Sequence, residues 1–133
     1  LTADNTILFP VAANTKYVAD FYLSTDYTST QNFQFDFTGP ASPNAVMIST
    51  VGIEATGTAN TKNLLTGTPP TAFSTVTLVT IGGGASTGLG LHIHLMVDNG
   101  ANAGTVTLRW ANNVGVVSKS VLAQSHMTWQ AVN

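Results

Sequence analysis

Phe33, Phe35 and Phe37 stand at every second position with Gln34 and Asp36 between them, and this two-residue period constrains the fold more than any other feature. Successive side chains of a strand point to opposite faces, so such a run buries one face and leaves the other wet. The pattern recurs along the chain. Lys16 to Leu23 sets Tyr17, Ala19, Phe21 and Leu23 against Val18, Asp20 and Tyr22. Leu91 to Asp98 sets Leu91, Ile93, Leu95 and Val97 against His92, His94, Met96 and Asp98. Thr105 to Trp110 carries Val106, Leu108 and Trp110 inward, and Ser125 to Val132 carries Met127, Trp129 and Ala131. Phe73 to Ile81 alternates Thr with Val, Leu and Ile. Two further segments read as strands: Thr6 to Phe9, closed by Pro10, and the apolar run Ala45 to Ile53, which reads as covered on both faces. A helical period of 3.6 is almost absent.

These eight segments are separated by turn chemistry, including Gly39-Pro40 and Gly82-Gly83-Gly84. The Asn99 to Gly104 connection is short, which predicts that its two flanking strands are antiparallel neighbours. Glu54 to Ala72 has no strand pattern and reads as the longest loop. Many short strands spaced by such turns predict one all-β domain over residues 1–133, an antiparallel two-sheet β-sandwich of jelly-roll type. Its core is expected to hold Phe33, Phe35, Phe37, Ile93, Leu95, Val106, Leu108 and Trp129.

Charge narrows the function. Only 8% of the 133 residues are charged, and the net charge is −2, so no cationic surface for a phosphate backbone is available and nucleic acid is not an expected partner. No apolar stretch has the length of a spanning helix and no basic amphipathic segment marks a membrane surface. Thr, Ser, Asn and Gln make up about a third of the chain instead. The absence of cysteine removes thiolate catalysis and Cys-based zinc sites. Leu1 is not an initiator Met, so the chain reads as processed or as the outer module of a longer one.

Few constellations point to chemistry. His92-Ile93-His94 places two imidazoles on one strand face, enough for two metal ligands, or six around a threefold axis. The simpler reading has both histidines facing outward and hydrogen-bonded without metal, so no metal ligand and no cofactor is assigned. The glycines of Gly82 to Gly88 lack the Lys-Ser/Thr of a phosphate loop and the third glycine of a dinucleotide fingerprint, so they read as a connection. Of the six carboxylates, Asp20 and Asp36 are the pair that adjacent strands could set face to face as a glycosidase requires, but nothing in the sequence couples them. A Gly-x-Ser-x-Gly elbow is missing. The expectation is a protein without catalysis. Tyr17, Tyr22, Tyr27, Trp110 and Trp129 are the aromatic candidates for stacking on sugar rings, and Tyr27, in a turn-like segment, is the best exposed of them.

The segment Leu8-Phe9-Pro10-Val11-Ala12-Ala13-Asn14-Thr15-Lys16-Tyr17, running into Phe21-Tyr22-Leu23, resembles a module of tailed-bacteriophage virion proteins. Phe35-Asp36-Phe37-Thr38-Gly39-Pro40-Ala41 and Ala103-Gly104-Thr105-Val106-Thr107-Leu108-Arg109-Trp110-Ala111 continue the likeness in order over nearly the whole chain. Where that module commonly introduces its last strand with a Gly-Ser turn, this chain has Ala123-Gln124-Ser125-His126. The resemblance implies a non-enzymatic part of a tail fibre, tail appendage or capsid decoration, often trimeric, assembled in the host cytoplasm beside other virion proteins. Attachment roles sit in variable loops of such modules, so the resemblance carries over no binding residue; from the loops of this chain itself, the residues expected to touch a host-surface glycan are Tyr27, Thr28, Thr58, Asn60, Thr61, Ser86 and Thr87. The competing expectation is a lectin-like carbohydrate-binding module of a cell-surface or secreted protein.

Overall fold

The structure, a computed structural model, describes residues 2–26, 33–53, 59–64, 71–73, 79–81, 89–112, 120–121 and 123–132. Ten strands lie among them: β1 (Thr2–Val11), β2 (Lys16–Asp26), β3 (Phe33–Thr38), β4 (Ala45–Ile53), β5 (Ala59–Leu64), β6 (Val79–Ile81), β7 (Leu89–Asp98), β8 (Gly104–Asn112), β9 (Ser120–Val121) and β10 (His126–Val132). They form two antiparallel sheets. The smaller has the order β1-β8-β3-β6, and the larger has the order β10-β2-β7-β4-β5, with β9 also pairing β2. Apart from β4 and β5, consecutive strands among β1 to β8 are never neighbours in a sheet. Taking 1-8-3-6 and 2-7-4-5 together, the chain winds back and forth between layers in the strand order of a jelly roll.

The alternation that predicts the strands also builds the core. Phe33, Phe35 and Phe37 of β3 and Val106 and Leu108 of β8 face Phe21 of β2 and Ile93 and Leu95 of β7, all fully buried. Phe37 meets Phe21 across the layers at 5.0 Å between ring centroids, and Phe9 of β1 packs against Phe21 and Tyr17. The two-layer sandwich is therefore held by aromatic contacts that belong to both sheets.

Several expectations need correction. Pro10 does not end the first strand, which runs on to Val11. As an edge strand, β1 tolerates a residue with no N–H to give. The segment read as one loop from Glu54 to Ala72 contains β5, a polar strand, Ala-Asn-Thr-Lys-Asn-Leu, whose ladder to β4 leaves no apolar period to detect. β4 is covered on one face only: Val46, Ile48 and Thr50 are buried while Val51 is exposed. β7 and β8 are not neighbours, because the Asn99 to Gly104 corner carries the chain from one sheet to the other. Trp129 is not core but 42% exposed, since β10 is an edge strand and its ring closes the flank of the sandwich by stacking on Phe9 at 5.5 Å. Phe73 lies outside any strand, with its ring where a Cβ on Gly39 would sit. Trp110, read as inward, is partly buried and packs against the core beside Phe33.

One end of the sandwich is tied by asparagines. Buried Asn99 donates through Nδ2 to the carbonyls of Ala12 and Asn102, and its backbone N–H donates to Thr15. Asn102 Nδ2 donates to the Ala41 carbonyl, and Asn44 donates to Asp98 through both backbone and side chain. Asn14 adopts a left-handed conformation at φ 53° and gives its N–H to Gly100. Three connections, β1 to β2, β3 to β4 and β7 to β8, thus become one hydrogen-bonded cap. At the opposite end the partners Ser24, Gly90 and Ile53 bring β2, β7 and β4 together.

Candidate functional site

The two outer faces differ in chemistry. That of the small sheet carries Gln34, Asp36, Thr38, Thr107 and Arg109, with Arg109 donating Nε–H and a terminal N–H to the two oxygens of Asp36. This fork raises the guanidinium pKa further, the hydrogen bonds to Asp36 outweighing desolvation. The outer face of the large sheet carries Val18, Tyr22, Met47, Val51 and Met96, together with all three histidines of the chain. Tyr22, Val51 and Met96 are each about 40% exposed, unusual for aromatic and aliphatic groups on a water-facing sheet.

Cross-strand register assembles this face in rows. One row is Thr128, Asp20, His94 and Ser49, and the next is His126, Tyr22, His92 and Val51. Asp20 on β2 therefore stands between the two histidines of β7. His92 Nε2 and His94 Nδ1 each lie 2.8 Å from the same oxygen, Asp20 Oδ1. Burial raises the Asp20 carboxyl pKa, but hydrogen bonds from His94 and His92 and the attraction of their charges lower it more, so the net displacement is downward. An ionised Asp20 accepts only, so both contacting nitrogens are donors. In the neutral imidazoles this fixes opposite tautomers: His92 keeps Nδ1 as its acceptor and His94 keeps Nε2.

The second row is a ring stack. His92 and Tyr22 lie 4.7 Å apart at 5° between planes, and Tyr22 and His126 lie 5.0 Å apart at 20°. Those spacings equal the distance between neighbouring strands, about 4.8 Å. The rings thus stand side by side across β7, β2 and β10. Both faces of Tyr22 are covered by imidazoles, and only its edge is open to a ligand.

Beside this stack lies a concavity of about 420 Å³ walled by Tyr22, His92, His126, Val51 and Gln124. Two local causes open it. Gly90 and Ser24, partners across β7 and β2, bring almost no side chain to the next row. A Cβ on Gly90 would meet nothing within 4 Å. The last strand is also interrupted between β9 and β10, and the Ser125 hydroxyl takes the place of a ladder partner by accepting the N–H of Ser24 and donating to its carbonyl. Gln124, given no place in the ladder, swings to donate to Ser24 Oγ and forms a wall. The size is that of a small-molecule site, and the lining is mostly apolar with a polar rim.

His92 and His94 face outward as expected, on the side opposite buried Leu91, Ile93, Leu95 and Val97. Among the described residues no group of three or more His, Cys, Asp or Glu side chains is arranged to hold a metal ion. Asp20 and Asp36 do not face one another. They lie on opposite outer faces, one with the histidines and one with Arg109, so they form no glycosidase pair. Of the expected glycan contacts, Tyr27, Thr28, Thr58, Ser86 and Thr87 lie outside the described residues, as does the Gly82 to Gly88 connection. Asn60 and Thr61 fall in β5 opposite Gly52 and Val51, in a strand and not in a loop. The partnership of Asp20 with both histidines, the stacking of Tyr22 and His126, and the Gln124-Ser125 wall were not read from sequence. The signal was the matched spacing of Asp20-x-Tyr22 and His92-x-His94 on two outward faces, which becomes legible once β2 is known to pair β7.

No protein-family model, no curated protein and no solved structure matches this chain.

Proposed function

We propose that this chain is a non-catalytic structural module of a tailed-bacteriophage virion, in a tail fibre, appendage or capsid decoration, which serves particle architecture and host-surface attachment as a homotrimer among other virion proteins. The observation that carries this reading is the jelly-roll strand order, an architecture of capsid and lectin domains. It is joined to the run of segments from Leu8 to Ala111 that resembles virion modules. A surface rich in Thr, Ser and Asn and poor in Lys supports it further, because repeated copies pack with little charge repulsion and little side-chain entropy lost. The acid-base groups of the outer face are closed upon each other, with Asp20 Oδ1 serving both histidines, which favours a structural role for them.

A second reading, a lectin-like carbohydrate-binding module, is favoured by one observation: a largely apolar concavity with a polar rim lies beside the Tyr22 stack at the end of the sandwich marked by Ser24 and Gly90. Mass spectrometry of density-banded particles from the source culture separates the two. Peptides of this chain banding with tailed particles are the expected result. Their confinement to cell envelopes or culture fluid would overturn the virion assignment in favour of the lectin.

A further inference from the structure

A sheet edge exposes a row of unpaired backbone groups, and soluble proteins blunt such edges with proline, bulges, lysine or short length. Among the described strands four stand at sheet edges, and three of these edges are blunted. β1 carries Pro10 and a register irregularity between Ala3 and Leu8. β6 is three residues long, and β5 carries Lys62 in its middle. The fourth edge, β10, has none of these devices. His-Met-Thr-Trp-Gln-Ala-Val holds no proline, glycine, lysine or carboxylate, and all seven residues run in unbroken register against β2. Among the described residues no strand hydrogen-bonds to its far side, although β1 of the other sheet comes near it through Phe9.

We propose that β10 is an interaction edge and that its occupant is β10 of a second copy of this chain, paired antiparallel about a twofold axis. Self-pairing of seven residues has one register that uses all of them, the register centred on Trp129. It sets Trp129 against the partner's Trp129, Thr128 against the partner's Gln130 and Met127 against the partner's Ala131. No like charges meet, because the strand carries none apart from His126 at its end. Trp129 is suited to the centre: it is 42% exposed, yet held by stacking on Phe9 and packing on Tyr17, so an aromatic cross-strand pair forms with little ordering left to do. This pairing goes beyond the trimer of the proposed function. A twofold contact would join two trimers, or two single chains if the trimer does not exist.

The test is light scattering on the wild type and two double variants at about 50 µM. Thr128→Lys with Gln130→Lys places lysine against the partner's lysine twice. Thr128→Lys with Gln130→Glu places lysine against the partner's glutamate twice. Both variants carry the same lysine opposite Asp20, so any effect there cancels between them, and both positions are exposed, so folding is checked by an unchanged far-UV spectrum. The expected result is that the Lys/Lys form has half the number of chains of the wild type and that the Lys/Glu form recovers the full number. Equal numbers in all three proteins, or a Lys/Glu form as small as the Lys/Lys form, would overturn the pairing. Whether the Lys/Lys form contains three chains or one reads out the trimer separately.

Discussion

Phe37→Ala is the substitution whose consequence follows most directly from the packing. Phe37 has no exposed surface, and its ring touches Phe21 of the opposite sheet at 5.0 Å and Phe35 of its own strand at 6.1 Å. Removing a buried phenylalanine ring costs about 3–5 kcal/mol, the spread reflecting how far the surroundings collapse into the space. Here they collapse little, because the cavity would lie between two sheets whose separation is fixed by Phe9, Phe21, Phe33 and Phe35 on either side. About 4 kcal/mol is therefore expected, a large share of the roughly 5–15 kcal/mol that stabilises a domain. Urea denaturation followed by tryptophan fluorescence measures it. With a slope of about 2 kcal/mol per molar, the midpoint falls by about 2 M while the slope is unchanged. Met96→Ala serves as a comparison, since a side chain about 40% exposed on the outer face of β7 loses less burial and its midpoint moves by no more than about half as much. A Phe37→Ala shift below about 0.5 M with an unaltered slope would refute the two-layer packing argument.

Two glycines should respond differently: Gly100→Ala forces a Cβ onto the Ser42 carbonyl oxygen and costs about 1–3 kcal/mol, whereas at Gly90→Ala the added Cβ meets open space and the thermal midpoint is unchanged or raised. Asn99→Ala removes two donated hydrogen bonds from a buried corner and costs about 1–3 kcal/mol in urea denaturation. Asp20→Asn tests the carboxylate between the histidines through pH. The folded Asp20 pKa lies below its ordinary 3.8, so its contribution is present above that value and is lost as pH falls through the lowered one. The stability gap between wild type and Asp20→Asn, measured in urea from pH 5 to pH 2, should close on the acid side. A gap that widens there would reverse the sign of the argument.

The strands with one clean apolar face were legible in the sequence because a half-buried strand writes its period into residue type. β3, β7 and β2 show this with Phe33, Phe35 and Phe37, with Leu91 to Val97, and with Tyr17 to Leu23. β5 was not legible because an edge strand of Asn, Thr and Lys has no period of its own, and β9 is only two residues long. The corner at Asn99 was misread for a different reason: a short turn-rich connection suits a hairpin and a step between sheets equally well, and what decides is the tertiary anchoring of Asn99 and Gly100 against Ala12 and Ser42. The outward orientation of His92 and His94 followed from the stronger claim of the aliphatic series on the core. Their shared acceptor did not, since Asp20 lies 72 residues from His92 and meets it only through strand pairing.

Electron cryomicroscopy of any virus particles purified from the source culture decides the proposed virion role. If the proposal holds, a domain traced to this sequence stands on the tail or capsid surface, with β7 between β2 and β4, β8 between β1 and β3, copies gathered about a threefold axis and the Tyr22 concavity open to the outside. Particles of that culture whose every surface domain is traced to other chains would contradict it.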